Sequence, residues 1–186
     1  MASQFVSVPF TNNVQEETFW CWAAAAANVF NSMLPPGSPD VVQQCDVVKL
    51  REGGDPCQNK DAYNAPDAVS NAFSDLNIRD GYPIGPSFQV IFDELSGLDR
   101  QTGETKPELA EPVCAEVDFG QAAHVVAISA ALVDDQGTQH VWVEDPWPGA
   151  GNSIEHTYDD FVSNYSYKGG DGSTGVVSIL QRAVRL

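Results

Sequence analysis

Basic residues are scarce in this chain. Nine Lys and Arg stand against 26 Asp and Glu, a formal charge of −17 over 186 residues. That balance excludes nucleic acid as an expected partner, because phosphate binding needs clustered cations. An acidic surface keeps a protein soluble and discourages association, so a monomer is expected and a basic peptide is favoured over an acidic one. Long apolar runs are missing too. Nothing approaches the ~18 residues a membrane helix requires, and no membrane span is expected. The first ten residues have neither a basic flank nor a long apolar run, so they are not a signal peptide as they stand. Residence in the cytoplasm, a removed presequence or a non-classical export route would each fit. Four cysteines and three histidines lack the paired short spacings of a zinc site, so neither a metal nor another cofactor is expected. With no internal repeat, low-complexity tract or convincing linker, residues 1–186 read as one domain.

What is present begins with Gln15, Cys21 and Trp22. The alanines at 23–27 have the highest helix propensity, so Cys21 opens a helix. Thr18 or Glu17 is expected to satisfy its free N–H groups or to favour its positive end. A thiol in the first turn feels that field, and together with an imidazolium it favours the thiolate. Gln15, six residues upstream, carries an amide able to donate to a developing oxyanion. A free cysteine is usually only a small buried hydrophobe. A second constellation downstream alters that reading. His124 stands at the entrance of the β-branched run Val125-Val126-Ala127-Ile128, and Asp145 closes the strand-like Val141-Trp142-Val143-Glu144 just before Pro146. A carboxylate there can accept the second imidazole N–H, fix the tautomer and favour the imidazolium.

These residues resemble, in kind and order, the papain-like cysteine peptidases, in the compact bacterial branch that includes the C39-like and AvrRpt2-type enzymes. Those enzymes carry Gln, five residues, then Cys-Trp at a helix start, followed by His and Asn or Asp. Gln15, Cys21-Trp22, His124 and Asp145 follow that pattern, and Asp145-Pro146-Trp147 resembles the family's Asn-Ser-Trp. The resemblance spans about residues 12–165. It implies an α+β fold, with a helical half at about 12–98 whose catalytic helix packs on a C-terminal antiparallel β-sheet at about 110–186. It also implies that Trp147 shields the His124–Asp145 contact from water. Phe19-Trp20 departs from papain, which has a cysteine and a Gly-Ser pair just before its nucleophile.

Beyond the motifs, helices are expected near 39–51, opened by Ser38-Pro39-Asp40, near 66–76, near 88–95 and around 158–165. Strands are expected near 112–118, 124–133, 139–144 and 174–184. The polar stretch 99–109 reads as an exposed insertion and a candidate flap over the substrate. Cys45 and Cys57 flank a turn-rich segment and can pair in an oxidising compartment, whereas Cys114 belongs to a core strand and is inert. His140 and His156 read as structural or solvated.

The functional expectation is a thiol protease, a papain-like hydrolase with the catalytic set Cys21, His124, Asp145 and Gln15 acting on a peptide or protein substrate. Trp20, Trp22, Trp147 and the 99–109 insertion are expected at the substrate-binding walls. The same triad supports acyl transfer or deamidation of the toxin or effector type, and a silenced scaffold would leave a binding module.

Overall fold

The computed structural model describes residues 2–80, 85–120, 122–150, 153–166 and 173–184. In chain order the elements are β1 (Gln4–Ser7), α1 (Cys21–Ser32), α2 (Gln44–Glu52), α3 (Val69–Asp75), β2 (Arg79–Asp80), α4 (Phe88–Ser96), β3 (Val113–Asp118), β4 (Ala123–Val133), β5 (Gln139–Glu144), β6 (Ile154–Thr157), α5 (Tyr158–Asn164), β7 (Tyr165–Ser166) and β8 (Thr174–Val184). The fold is α+β. Its antiparallel sheet runs β2-β8-β3-β4-β5-β6, with β1 also paired to β4. One edge of β4 pairs with β3 over residues 123–128 and with β1 over residues 130–133. Its other edge pairs with β5 over residues 127–133, and His124 lies opposite Val117 at the start of the strand.

Alternation along β4 explains the two cores. Val125 and Ala127 join Cys114 beneath α1, α2 and α3, while Val126 and Ile128 join α4 and α5 on the other face. The alanines of α1 have almost no side-chain bulk, so the helix seats fully against its neighbours, and residues 22–29 are all buried. The expected packing of the Cys21 helix on an antiparallel sheet is therefore present. α4 (Phe88, Ile91, Leu95) packs in the strand-side core.

Two expectations are corrected. The helix foreseen near 39–51 starts at Gln44. Both amide atoms of Asn31 pair with the main chain of Val42, Nδ2 donating to its carbonyl at 2.9 Å and its N–H donating to Oδ1 at 2.9 Å. That clamp ties Val42 to α1, and the helix begins after an extended Gln43 with a capping box between Gln43 and Asp46. The 99–109 stretch is largely exposed, as expected, but it is a turn tied down beside α4. Asp99 pairs with Lys106, and the Asp99 N–H donates to Glu104 O at 2.8 Å. Among the described residues no helix is long and apolar enough to cross a membrane.

Candidate active site

Cys21 is the first residue of α1 and is partly exposed. No side chain caps the helix and its first turn holds no acidic residue, contrary to the expectation for Thr18 and Glu17. The Cys21 N–H is among the first-turn donors that a helix leaves without an intrahelical partner. Thr18 and Glu17 act instead through their carbonyls, which accept from Gln15 Nε2 at 2.9 and 2.8 Å. Gln15 is buried and both of its amide protons are engaged. Its Oε1 is enclosed without a hydrogen bond among the described residues.

Buried amides hold this turn in place. Asn28 of α1 accepts from the Asn13 N–H at 3.2 Å and donates to Asn13 O at 3.0 Å. Gln44 of α2 donates to Val14 O at 2.7 Å and accepts from the Glu16 N–H at 2.9 Å. The same segment reaches the end of β5, where the Gln15 N–H donates to Pro146 O at 2.7 Å and Asn12 Nδ2 donates to Asp145 O at 2.7 Å. Helix start and β5 terminus, 124 residues apart in sequence between Cys21 and Asp145, are thus joined by one strip of main chain.

His124 is 6% exposed, and its Nε2 lies 2.7 Å from Asp145 Oδ1. The Cys21 side chain also acts on the ring and favours its charged form, and with Nε2 on Asp145 the nitrogen left for it is Nδ1. Burial opposes charge on His124, but the hydrogen bonds and charges of Asp145 and Cys21 outweigh it and raise its pKa to about 9. Asp145 is 1% exposed, and burial alone would raise its pKa. The His124 contact, the Tyr165 hydroxyl and the Trp147 N–H together hold it below the ordinary carboxylate value instead. The Tyr165 hydroxyl donates to Oδ2 at 2.6 Å and the Trp147 N–H to Oδ1 at 2.8 Å. The Trp147 ring stands edge-on to His124 with centroids 6.5 Å apart.

A cavity of about 620 Å³ opens beside Cys21 and His124. Phe19 and Trp22 line its helical side, residues 66–68 close another, and Glu116, Phe119 and Val125 come from the sheet side, with Trp147 next to His124. Trp22 and Trp147 therefore sit where substrate contacts were expected. Trp20 does not. It is wholly buried, with its indole N–H donating to Tyr63 O at 2.9 Å, because the turn into α1 directs it inward and its exposed neighbour Phe19 takes the wall. No described residue of 99–109 lines the cavity, so that stretch forms no flap over it.

The remaining cysteines and histidines lie elsewhere. Cys45 and Cys57 form a disulfide, so their sulfurs are unavailable to a metal although Asp46 is close by. Cys114 is fully buried, and burial pushes its thiol far up. His140 pairs with Glu155 at 2.9 Å on the far end of β5, and His156 packs on Tyr165 with centroids 5.5 Å apart. Tyr165 itself escaped the sequence reading. Its only sequence signal is an aromatic residue closing a short amphipathic helix, which ordinarily means core. Glu144 was missed as well, a buried carboxylate that accepts from Ser129 Oγ at 2.6 Å and from the Ser153 N–H at 2.9 Å.

No family model matches the chain, and no curated protein matches it. Among solved structures it is similar to the Amb a 11 cysteine protease, a major ragweed pollen allergen, in its proform. The identity is 13% and the TM-score 0.48, over 98% of this chain and 65% of that one. This chain thus spans just under two thirds of the length of that neighbour.

Proposed function

We propose that this protein is a cysteine peptidase on a papain-like scaffold. The observation that carries the reading is His124, set with Cys21 on the wall of one cavity able to hold a peptide and lying 2.7 Å from a buried Asp145. Assignment to the compact bacterial branch rests on the motif order of the sequence alone.

In this reading the Cys21 thiolate attacks a peptide carbonyl carbon, forming a C–S bond while the carbonyl π electrons move to oxygen. The oxyanion is met by the Cys21 N–H, and Gln15 joins by releasing one of its two carbonyl contacts. Collapse of the tetrahedral species breaks the C–N bond, and the His124 imidazolium gives its proton to the departing amine. His124, now neutral, then takes a proton from water as the oxygen attacks the thioester. Loss of the thiolate yields the carboxylic acid and restores the imidazolium. Asp145 holds the ring and favours its charged form throughout.

The test is labelling near neutral pH with an epoxide thiol inhibitor of the E-64 type, read by intact and peptide mass spectrometry. A single adduct on Cys21, lost in His124→Ala, is expected, followed by cleavage of a peptide library that Cys21→Ala abolishes. Full cleavage by Cys21→Ala, or no adduct on the folded wild type, would overturn the reading. An acyl-enzyme that an added amine captures in preference to water would reassign the protein to acyl transfer.

A further inference from the structure

The cavity beside Cys21 is bordered by a carboxylate that has no partner among the described residues. Two carboxylates border it, Asp67 and Glu116. Asp67 is fully engaged, accepting from Arg51 Nε at 2.6 Å, Asn71 Nδ2 at 2.6 Å and the Ala68 N–H at 2.7 Å. Glu116 is different. It lies on β3 two residues beyond Cys114, whose side chain packs in the core beneath α1, so strand alternation turns Glu116 toward the same, helical side. There it is half-buried in the cavity wall. Its main-chain carbonyl accepts from Ser178, but its carboxylate makes neither a hydrogen bond nor an ion pair among the described residues.

The wall of the same cavity also carries apolar surface from Trp22, Ala68, Phe119 and Val125. A purely apolar ligand side chain would fill the space but strip water from an unpaired charge, which is costly. An acidic side chain would meet Glu116 and the −17 formal charge of the whole chain. The side chains that satisfy both features are those with a long aliphatic stem and a terminal cation, which bury the stem on apolar surface and keep the charge at its end. Arg fits best, because its planar fork can bind a carboxylate through two parallel N–H donors.

We propose that this cavity is a specificity pocket for an Arg or Lys side chain of a peptide substrate, with Glu116 as its counter-ion. This rests on the peptidase reading for its substrate class, since Cys21 and His124 open onto the same cavity. The pocket would select peptides with a basic residue close to the scissile bond.

Binding can be read without turnover. In Cys21→Ala, fluorescent hexapeptides carrying Arg, Lys, norleucine or Glu at each position in turn are titrated by anisotropy. At one position Arg and Lys peptides should bind about tenfold more tightly than the norleucine peptide, the scale of one charge-assisted contact, and the Glu peptide most weakly. Adding Glu116→Gln should shrink the Arg-to-norleucine ratio severalfold, and Glu116→Arg should turn the preference toward Glu. Equal or tighter norleucine binding at every position, or a ratio unaltered by Glu116→Gln, would overturn the pocket assignment. The same peptides are then given to the intact protein. Selective binding without cleavage would defeat the peptidase reading alone, whereas cleavage indifferent to Arg, Lys and norleucine would defeat the pocket alone.

Discussion

At the scale of single residues, the orientation of His124 depends on how firmly Asp145 is held. A buried carboxylate needs several donors, and Asp145 has a ring N–H, a main-chain N–H and a hydroxyl on its two oxygens. Tyr165 is therefore a positioning residue that acts through Asp145. Tyr165→Phe removes one hydroxyl, leaves Oδ2 without that donor and should cost about 1.5–3 kcal/mol of stability, the worth of a hydrogen bond to a charged group, read as a lower urea midpoint. It should also lower kcat per folded molecule while KM holds, whereas a purely structural role would lower the midpoint alone. Cys21, His124 and Asp145 stand out in the sequence as candidates because each lies where one pattern gives way to another, an alanine run, a β-branched run and a proline, and Gln15 follows from its place six residues before Cys21. Tyr165 was not legible, since an aromatic residue closing a short helix ordinarily means core and only folding sets its hydroxyl on Asp145.

At the scale of elements, the sequence signals that succeeded were long and apolar. The strands expected near 112–118, 124–133, 139–144 and 174–184 match β3, β4, β5 and β8 closely. β1 and β6 were missed because each is a four-residue strand, with sequences Gln-Phe-Val-Ser and Ile-Glu-His-Thr, and such short strands are defined by the neighbour they pair with. The displaced start of α2 has the same kind of cause, the reach of Asn31 across to Val42. One covalent constraint acts on this half of the fold. The Cys45–Cys57 bridge closes a loop of sequence separation 12 from α2 into the segment that follows it. A double Cys45→Ser/Cys57→Ser variant should lose about 2–3 kcal/mol, the amount expected of a loop this short, measured by urea unfolding against the oxidised wild type. An unaltered midpoint would mean that the packing of α2 on α1 and α3 carries this region alone.

At the scale of the whole molecule, one buried ion pair couples stability and chemistry to pH. The folded pKa of His124, about 9, lies above the ordinary histidine value of 6.5. Its stabilising contribution is complete below 6.5 and disappears as pH rises through 9. Asp145 is displaced downward, so its contribution is present above the ordinary carboxylate value and is lost as pH falls through the lower folded one. Unfolding free energies over a pH series should therefore decline on both sides of neutrality. In parallel, kcat/KM should fall on the alkaline side with an apparent pKa near 9, as the imidazolium that protonates the leaving amine is lost. An alkaline limb near 6.5 would show that Asp145 and Cys21 do not support the charge. The cysteines supply a gauge of folding that needs no engineered probe. With Cys45 bonded to Cys57 and Cys114 sealed in the core, the native molecule offers a single reagent-accessible sulfur, Cys21. Loss of tertiary structure uncovers a second, and reduction releases the other two, so stepwise thiol counting separates native, unfolded and unfolded-and-reduced chains in one sample.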